Sequence, residues 1–326
     1  MCFKFYIKFI FSFFLFIGVA LSCKKETSLE KHIAEINTQI TTERFDRLFA
    51  SVTTENLPKL KTAYPFMFSK KYKDSFWLAK KEDTLQKQLF NEVAKTFTNF
   101  QEIENEIEWL FNHIKYYFLD FNTPRVITIT NDVDYRNNVI VTDTIILIAL
   151  DNYLGSEHPF YTNIPNYLKA NFKKSQVVVD LAKAYSEKYI YQPQRRTLLD
   201  EMIFYGKQLY FEELTIPFKT EAELIGYSES QLNWAIKNEE YIWRYFVERE
   251  LLFSTDAKLP SRFINNAPFS KFYLESIDAE SPGRIGQYVG WQIVRAYMQN
   301  NEATLNDMLK KSTDDIFNNS KFKPRK

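Results

Sequence analysis

The sequence predicts an α+β protein, predominantly helical, with a small sheet of three or more strands. Three observations predict it. Glycine is scarce, 7 in 326 residues, which disfavours a turn-dense all-β array because such turns need glycine at positive φ. Apolar residues recur at helical spacing along most of the chain. One central stretch, 125–150, instead places β-branched runs between turn formers. Hydrophobic residues at 45% and charged residues at 25% suit a folded domain and not a disordered chain.

In chain order, Asn56–Tyr64 and Asp74–Lys81 are predicted as short helices. A long helical stretch follows from Asp83 to Phe118. Leu85, Leu89, Val93 and Phe97, then Ile103, Ile107, Leu110, Ile114 and Phe118, recur at helical spacing. Asn99 and Phe100 divide it into two helices packed as a hairpin. Strands are predicted at Arg125–Thr130, Asn138–Thr142 and Thr144–Leu150. The third is almost wholly apolar, so it is expected to be covered on both faces. Helices resume from Ser175, with Val178, Leu181, Ala182, Tyr185 and Tyr189 on one face. Another starts at Arg196, with Leu199, Met202, Ile203, Gly206, Leu209 and Tyr210. Glu229–Phe253 supplies one helix or two. Ser281-Pro282 is expected to open the next helix, with Ser as N-cap and Pro in the first turn, and that helix runs to Asn300. Thr304–Phe317 is the last, and the basic tail Lys321–Lys326 is expected to fray.

The N-terminus has the pattern of an export signal. Lys4 and Lys8 form a basic region without acids, and from Phe9 to Leu21 the one polar side chain is Ser12. Such a run is too short for a spanning helix, which needs about 20 residues, and fits a signal-peptide core. Ala20-Leu21-Ser22-Cys23 then places a small residue directly before a cysteine, as in a bacterial lipobox. The expected organisation is a lipoprotein signal at 1–22, a lipidated N-terminus and tether at 23–41, and a single mainly helical domain at 42–326. Cleavage removes two Lys and no acid, lowering Lys+Arg from 42 to 40 against 41 acids. It also removes Cys2, and acylation consumes Cys23, so no disulfide or free thiol is expected. The acyl chains attach the protein to a membrane, and Lys24 and Lys25 can hold anionic headgroups. The expected location is the cell envelope, facing the periplasm.

Balanced charge, with no basic stripe, argues against nucleic-acid binding by counterion release. His32, His113 and His158 are far apart, so no pair of zinc ligands lies on one helix turn. No metal and no cofactor are expected. Gly283, Gly286 and Gly290 fall at spacings of three and four. No clear strand precedes them and no Lys-Ser/Thr follows, so close helix packing explains them better than a phosphate cradle. The adjacent acids Asp200 and Glu201 fit a solvated helix face. A hydrolase acting on peptide or cell-wall polymer through carboxylates, with Asp180 or Glu201 as candidates, is the alternative.

Several stretches taken together resemble a known family. They are Arg44–Arg47, Leu57–Leu60, His113–Tyr117, Val126–Thr128, Ala149–Gly155, Met202–Lys207, Ile242–Phe246, Leu252–Asp256, Phe269–Tyr273 and Ser281–Tyr297. In this order they resemble the GldB gliding-motility lipoproteins of the Bacteroidetes. The resemblance implies a non-enzymatic component of the gliding machinery and its associated secretion, with other proteins of that machinery as partners. The family is also distantly similar to predicted zinc proteases of the zincin type, where a strand precedes a His-Glu-x-x-His helix and a later helix supplies Glu from a Glu-Gly pair. Here the helix reads Val178-Val-Asp-Leu-Ala-Lys-Ala-Tyr185, without His, and the Glu-Gly position reads Tyr205-Gly206. That implies a degenerate, metal-free zincin-like architecture. If a groove persists, Tyr205, Arg284 and Tyr288 are its candidate residues.

Overall fold

The computed structural model describes residues 28–326. The signal at 1–22 and the lipidation residue Cys23 lie outside the described residues. The chain forms two compact units, 1–37 and Thr38–Lys326. In the first, Ser28–Ala34 form helix α1. The second carries a four-stranded mixed sheet within a predominantly helical fold. Among the described residues, no helix is long and apolar enough to cross a membrane.

The strands are β1 (Thr42–Glu43), β2 (Arg125–Ile129), β3 (Val139–Val141) and β4 (Ile145–Ala149), in the order β1-β2-β4-β3. β1 and β2 are parallel, as are β2 and β4, while β3 returns antiparallel beside β4. The two-residue β1 has no alternating pattern to reveal it. It is fixed from outside: the Thr42 N–H donates to Glu104 and Arg125 forms a two-pronged pair with Glu43. The central position of β4 explains its apolar composition. Ile146 and Ile148 enter the main core on one face, and Ile145 and Leu147 pack against a smaller core on the other.

The smaller core is mostly aromatic. Phe45 and Phe49 come from α2 (Phe45–Ala50), and α3 (Leu57–Ala63), α4 (Asp74–Glu82) and α5 (Thr84–Thr96) surround them. Phe45, Tyr64, Phe68 and Trp77 meet edge to face at 5.0–6.0 Å, the arrangement favoured by ring quadrupoles. α5 and α6 (Gln101–Tyr117) divide the long predicted stretch. Phe97 and Phe100 are buried in the break, and Asn99 accepts the Gln101 N–H at 2.9 Å.

After the short α7 (Asn166–Lys169), the main core is built on α8 (Val177–Tyr189), α9 (Leu198–Thr215) and α15 (Ile285–Asn300). Between the last two come α10 (Glu221–Ile225), α11 (Glu229–Lys237), α12 (Glu239–Glu248), α13 (Leu259–Phe263) and α14 (Glu275–Glu280). α9 begins at a capping box in which Thr197 accepts from Asp200 N and Asp200 accepts from Thr197 N. α9 and α15 cross at Gly206 and Gly290. A Cβ on Gly290 would fall inside Met202 O, and one on Gly206 inside Gly290 O. Both glycines are therefore required by backbone approach, which the spacing of Gly283, Gly286 and Gly290 predicts for Gly290 but not for Gly206. Gly283, however, precedes the helix and packs against Ala267 O.

Three local expectations are corrected. Ser281-Pro282 does not open α15; the helix starts at Ile285, behind Arg284 at φ 59. Ser281 instead donates to Ser270 O at 2.9 Å, and Ser270 Oγ accepts the Ile285 N–H at 3.1 Å. A residue from a different loop thus supplies the cap. The last predicted helix is two, α16 (Leu305–Lys310) and α17 (Thr313–Ser320), because Ser312 caps a second start by accepting from Asp315 N. The basic tail is docked. Phe322 meets Trp243 edge-on at 5.2 Å, and the Arg325 N–H donates to buried Glu239 at 2.9 Å.

Lys207 on α9 is fully buried, and its ammonium donates to Leu309 O at 3.2 Å and Lys311 O at 2.7 Å. Burial lowers its pKa from 10.5 to about 8. The unfolded chain therefore holds this proton more tightly than the folded one between those values. The group's contribution to stability rises with pH across that window, by at most about 1.4 kcal/mol per pH unit. Lys207→Met should lack this gain. In urea melts, the stability of the wild type relative to the variant should increase from about pH 8 to about pH 10. A difference that stays flat would refute the assignment.

Candidate functional site

An open cleft of about 570 Å3 lies beside the sheet edge. One wall is the β2–β3 loop and the start of β3, with Tyr135, Arg136, Asn138 and Val139. The opposite wall is α8, with Asp180, Lys183 and Glu187; Gly226 and Arg284 close one end. Spacings of three and four put those three α8 residues on one helix face. They form a polar stripe on a helix whose other residues include the buried Val178, Leu181, Ala182 and Tyr185. That stripe was the available sequence signal for Lys183, which sequence reasoning did not single out.

Two pins hold α8 along β3. Asp180 accepts from Asn138 Nδ2 at 3.1 Å and from the Tyr153 hydroxyl at 2.7 Å. Lys188 pairs with Asp143 beyond the other end of the strand. Burial raises the pKa of Asp180 against the opposing effects of Tyr153, Lys183 and Asn138. Glu212, behind the wall on α9, is fully buried, and burial holds its carboxyl well above the ordinary range. Glu187 accepts from Gln208 Nε2 at 3.1 Å. At the end of the cleft, Arg284 Nη2 and Asn171 Nδ2 both donate to Gly226 O at 3.0 Å.

The β2–β3 loop has its own support. Asp132 and Val133 both have φ near 60°, a conformation that is costly for a β-branched residue. Fully buried Asp151, just after β4, accepts the Asn131 N–H at 3.1 Å and the Val133 N–H at 2.9 Å. Burial pushes its carboxyl up to about 6, against the pull of those N–H donors.

Of the three groove candidates, Arg284 lines the cleft and the other two lie elsewhere. Tyr288 is fully buried and donates to Glu239 at 2.7 Å. Tyr205 packs edge-on to Phe204 beneath the Arg195 guanidinium. The hydrolase candidates do not converge. Asp180 faces the cleft, whereas Glu201 pairs with Arg195. Glu201 and Glu212, the residue whose carboxyl interacts with Asp180, lie eleven positions apart on α9, about 16 Å along its axis. Among the described residues, no group of three or more His, Cys, Asp or Glu is placed to hold a metal ion.

A family model described as gliding motility protein GldB matches residues 26–324. The chain belongs to this family. The match covers the sheet, both cores and the cleft, so the GldB-family assignment concerns the whole globule and not one motif. It makes the chain a gliding-motility-related protein. No curated protein and no solved structure matches it.

Proposed function

We propose that this GldB-family chain is a periplasm-facing lipoprotein, anchored through acylated Cys23. In this reading it serves the gliding machinery and its associated secretion as a non-enzymatic binding component. The family match carries the reading. The anchor is supported by the basic and apolar leader that ends at Ala20-Leu21-Ser22-Cys23. The binding role is supported by a cleft whose carboxylates are engaged: Asp180 by Tyr153 and Asn138, Glu187 by Gln208. The succession of β4 and α8, with Val179, Asp180 and Lys183 at the cleft, favours a zincin-like scaffold without its metal ligands. Other proteins of the gliding and secretion machinery are the proposed partners.

Deleting the gene should abolish colony spreading, and Cys23→Ala should release the protein from the membrane fraction and stop spreading. A deletion strain that spreads normally would overturn the proposal. Turnover of peptidoglycan or casein by purified protein, lost in Asp180→Asn, would overturn its non-enzymatic part.

A further inference from the structure

The chain's charge is balanced overall but not locally. From Asn56 to Lys73 the sequence holds Lys59, Lys61, Lys70, Lys71 and Lys73 and no acid. Asp74, the first acid after them, is taken by Lys61 at 2.6 Å. Lys70, Lys71 and Lys73 are exposed and, among the described residues, in no ion pair. They sit in the loop that leads into α4, a helix in which none of the nine residues is fully buried.

Two aromatic rings stand among these lysines. Tyr72 and Phe76 stack at 4.1 Å and remain 47% and 40% exposed. Both rest edge-on against Trp77, at 5.9 and 5.1 Å, and Trp77 meets buried Phe68 at 5.0 Å. The pair is thus the outermost layer of the smaller aromatic core, held from beneath and open above. The Phe76 ring has no polar group to offer water. Rings of this kind settle at the boundary between headgroups and acyl chains, and lysines beside them reach the headgroup charges. A protein partner fits less well, because interfaces between proteins are enriched in arginine and depleted in lysine, and the unpaired cations here are all lysines.

We propose that the Lys70–Phe76 face is a second membrane contact, lying on an anionic phospholipid surface with Tyr72 and Phe76 in the interfacial layer and Lys70, Lys71 and Lys73 among the headgroups. The proposal rests on the anchoring given above and adds orientation to attachment. From Cys23 to Thr38 even a fully extended chain spans at most about 50 Å. The globule therefore stays close to the bilayer, and a contact that is weak by itself becomes occupied through its high local concentration. The smaller core lies across the sheet from the main core, so this contact turns α8 and α15 away from the bilayer.

The test is flotation of the mature chain 23–326 carrying Cys23→Ser, which keeps every described residue and leaves no acyl chain to mask the patch. At about 0.1 M salt it should bind vesicles of phosphatidylethanolamine and phosphatidylglycerol, and vesicles of phosphatidylcholine far more weakly. A lysine near an anionic surface is worth about fivefold in binding, so the triple variant Lys70→Gln, Lys71→Gln, Lys73→Gln should lose at least about tenfold. Its thermal midpoint should not change, because the three side chains are exposed and unpaired. Tyr72→Ser with Phe76→Ser should also weaken binding, whereas Tyr72→Trp should retain it. Lys237→Gln, Lys310→Gln and Lys323→Gln together remove the same charge from exposed positions elsewhere and should leave binding nearly unchanged. No binding to the anionic vesicles, the result expected if the patch served an acidic protein, would overturn the proposal. So would equal binding to neutral vesicles, indifference to the triple variant, or an equal loss in the control. If Cys23→Ala stops spreading but the unacylated chain ignores vesicles, this inference alone fails. If the vesicle results hold but the native chain carries no acyl group on Cys23, the anchor alone fails.

Discussion

Gly290→Ala should cost about 3 kcal/mol, and Gly290→Val more, enough to leave little folded protein at physiological temperature. An inserted Cβ would overlap Met202 O and approach Met202 Cα at 3.0 Å. Those are backbone atoms, which cannot rotate away as a side-chain tip could. Overpacking usually costs about 1–3 kcal/mol. This site belongs at the top of that range because relief requires α9 and α15 to separate. Their separation would also disturb fully buried Trp291, whose indole N–H donates to Glu213 at 2.8 Å, where Arg295 also binds. Gly206→Ala meets Gly290 O in the same crossing. Once either alanine has pushed the helices apart, the second meets less resistance, so the double variant should cost less than the sum of the singles. Urea melts followed by tryptophan fluorescence measure all three. A Gly290→Ala variant within about 0.5 kcal/mol of wild type, the range of ordinary surface changes, would refute the crossing. Gln299→Ala, exposed near the end of α15, serves as the control.

Gly206 on α9 was not legible as part of this crossing, but the α15 side was legible in the sequence because it depends on glycines spaced along a single helix. The same holds for the apolar periodicity of α5 and α6 and for the doubly covered β4. What escaped depends on contacts between distant segments. Ser270 caps α15 from another loop, so no local Ser-Pro pattern could reveal it. Glu239 accepts from Tyr288 and from Arg325 N, 86 positions away, and so converts a basic tail that looks frayed into a docked one. The cleft was half legible. Arg284 and Tyr288 were named through the glycine-rich segment they belong to and Tyr205 through the Glu-Gly position of the zincin comparison, but of the three only Arg284 lines the cleft. Asn138 was missed because its partner Asp180 lies 42 positions away, whereas Lys183 lay in the polar stripe of α8 and was passed over because nothing local marks that stripe as one wall of a cleft.

Asp151→Ala should cost about 3 kcal/mol and loosen the cleft wall without touching the cleft. Three physical terms set the size. The change leaves the N–H groups of Asn131 and Val133 without their acceptor, and a hydrogen bond to a charged group is worth about 1.5–3 kcal/mol. It also removes the restraint that holds Asp132 and Val133 at positive φ, a conformation costing about 1–3 kcal/mol for each unsuited residue. The offset is relief of the buried charge. That offset has a pH signature. The carboxyl's folded pKa of about 6 lies above its ordinary 3.8, so between these values the folded chain binds the proton more tightly than the unfolded one. The contribution of Asp151 is greatest below about pH 4 and falls as pH rises to about 6, by up to about 3 kcal/mol. Asp151→Asn cannot titrate and should lack that fall. Its amide also keeps an acceptor for one of the two N–H groups, so at neutral pH it should lose less than Asp151→Ala. The pH-dependent difference between wild type and Asp151→Asn, taken from urea melts across pH 4–7, isolates this one group from the other carboxylates. If the difference is flat, the carboxyl is not desolvated as described. If the amides of Asn131 and Val133 exchange no faster in Asp151→Ala, the carboxyl is not what holds the loop.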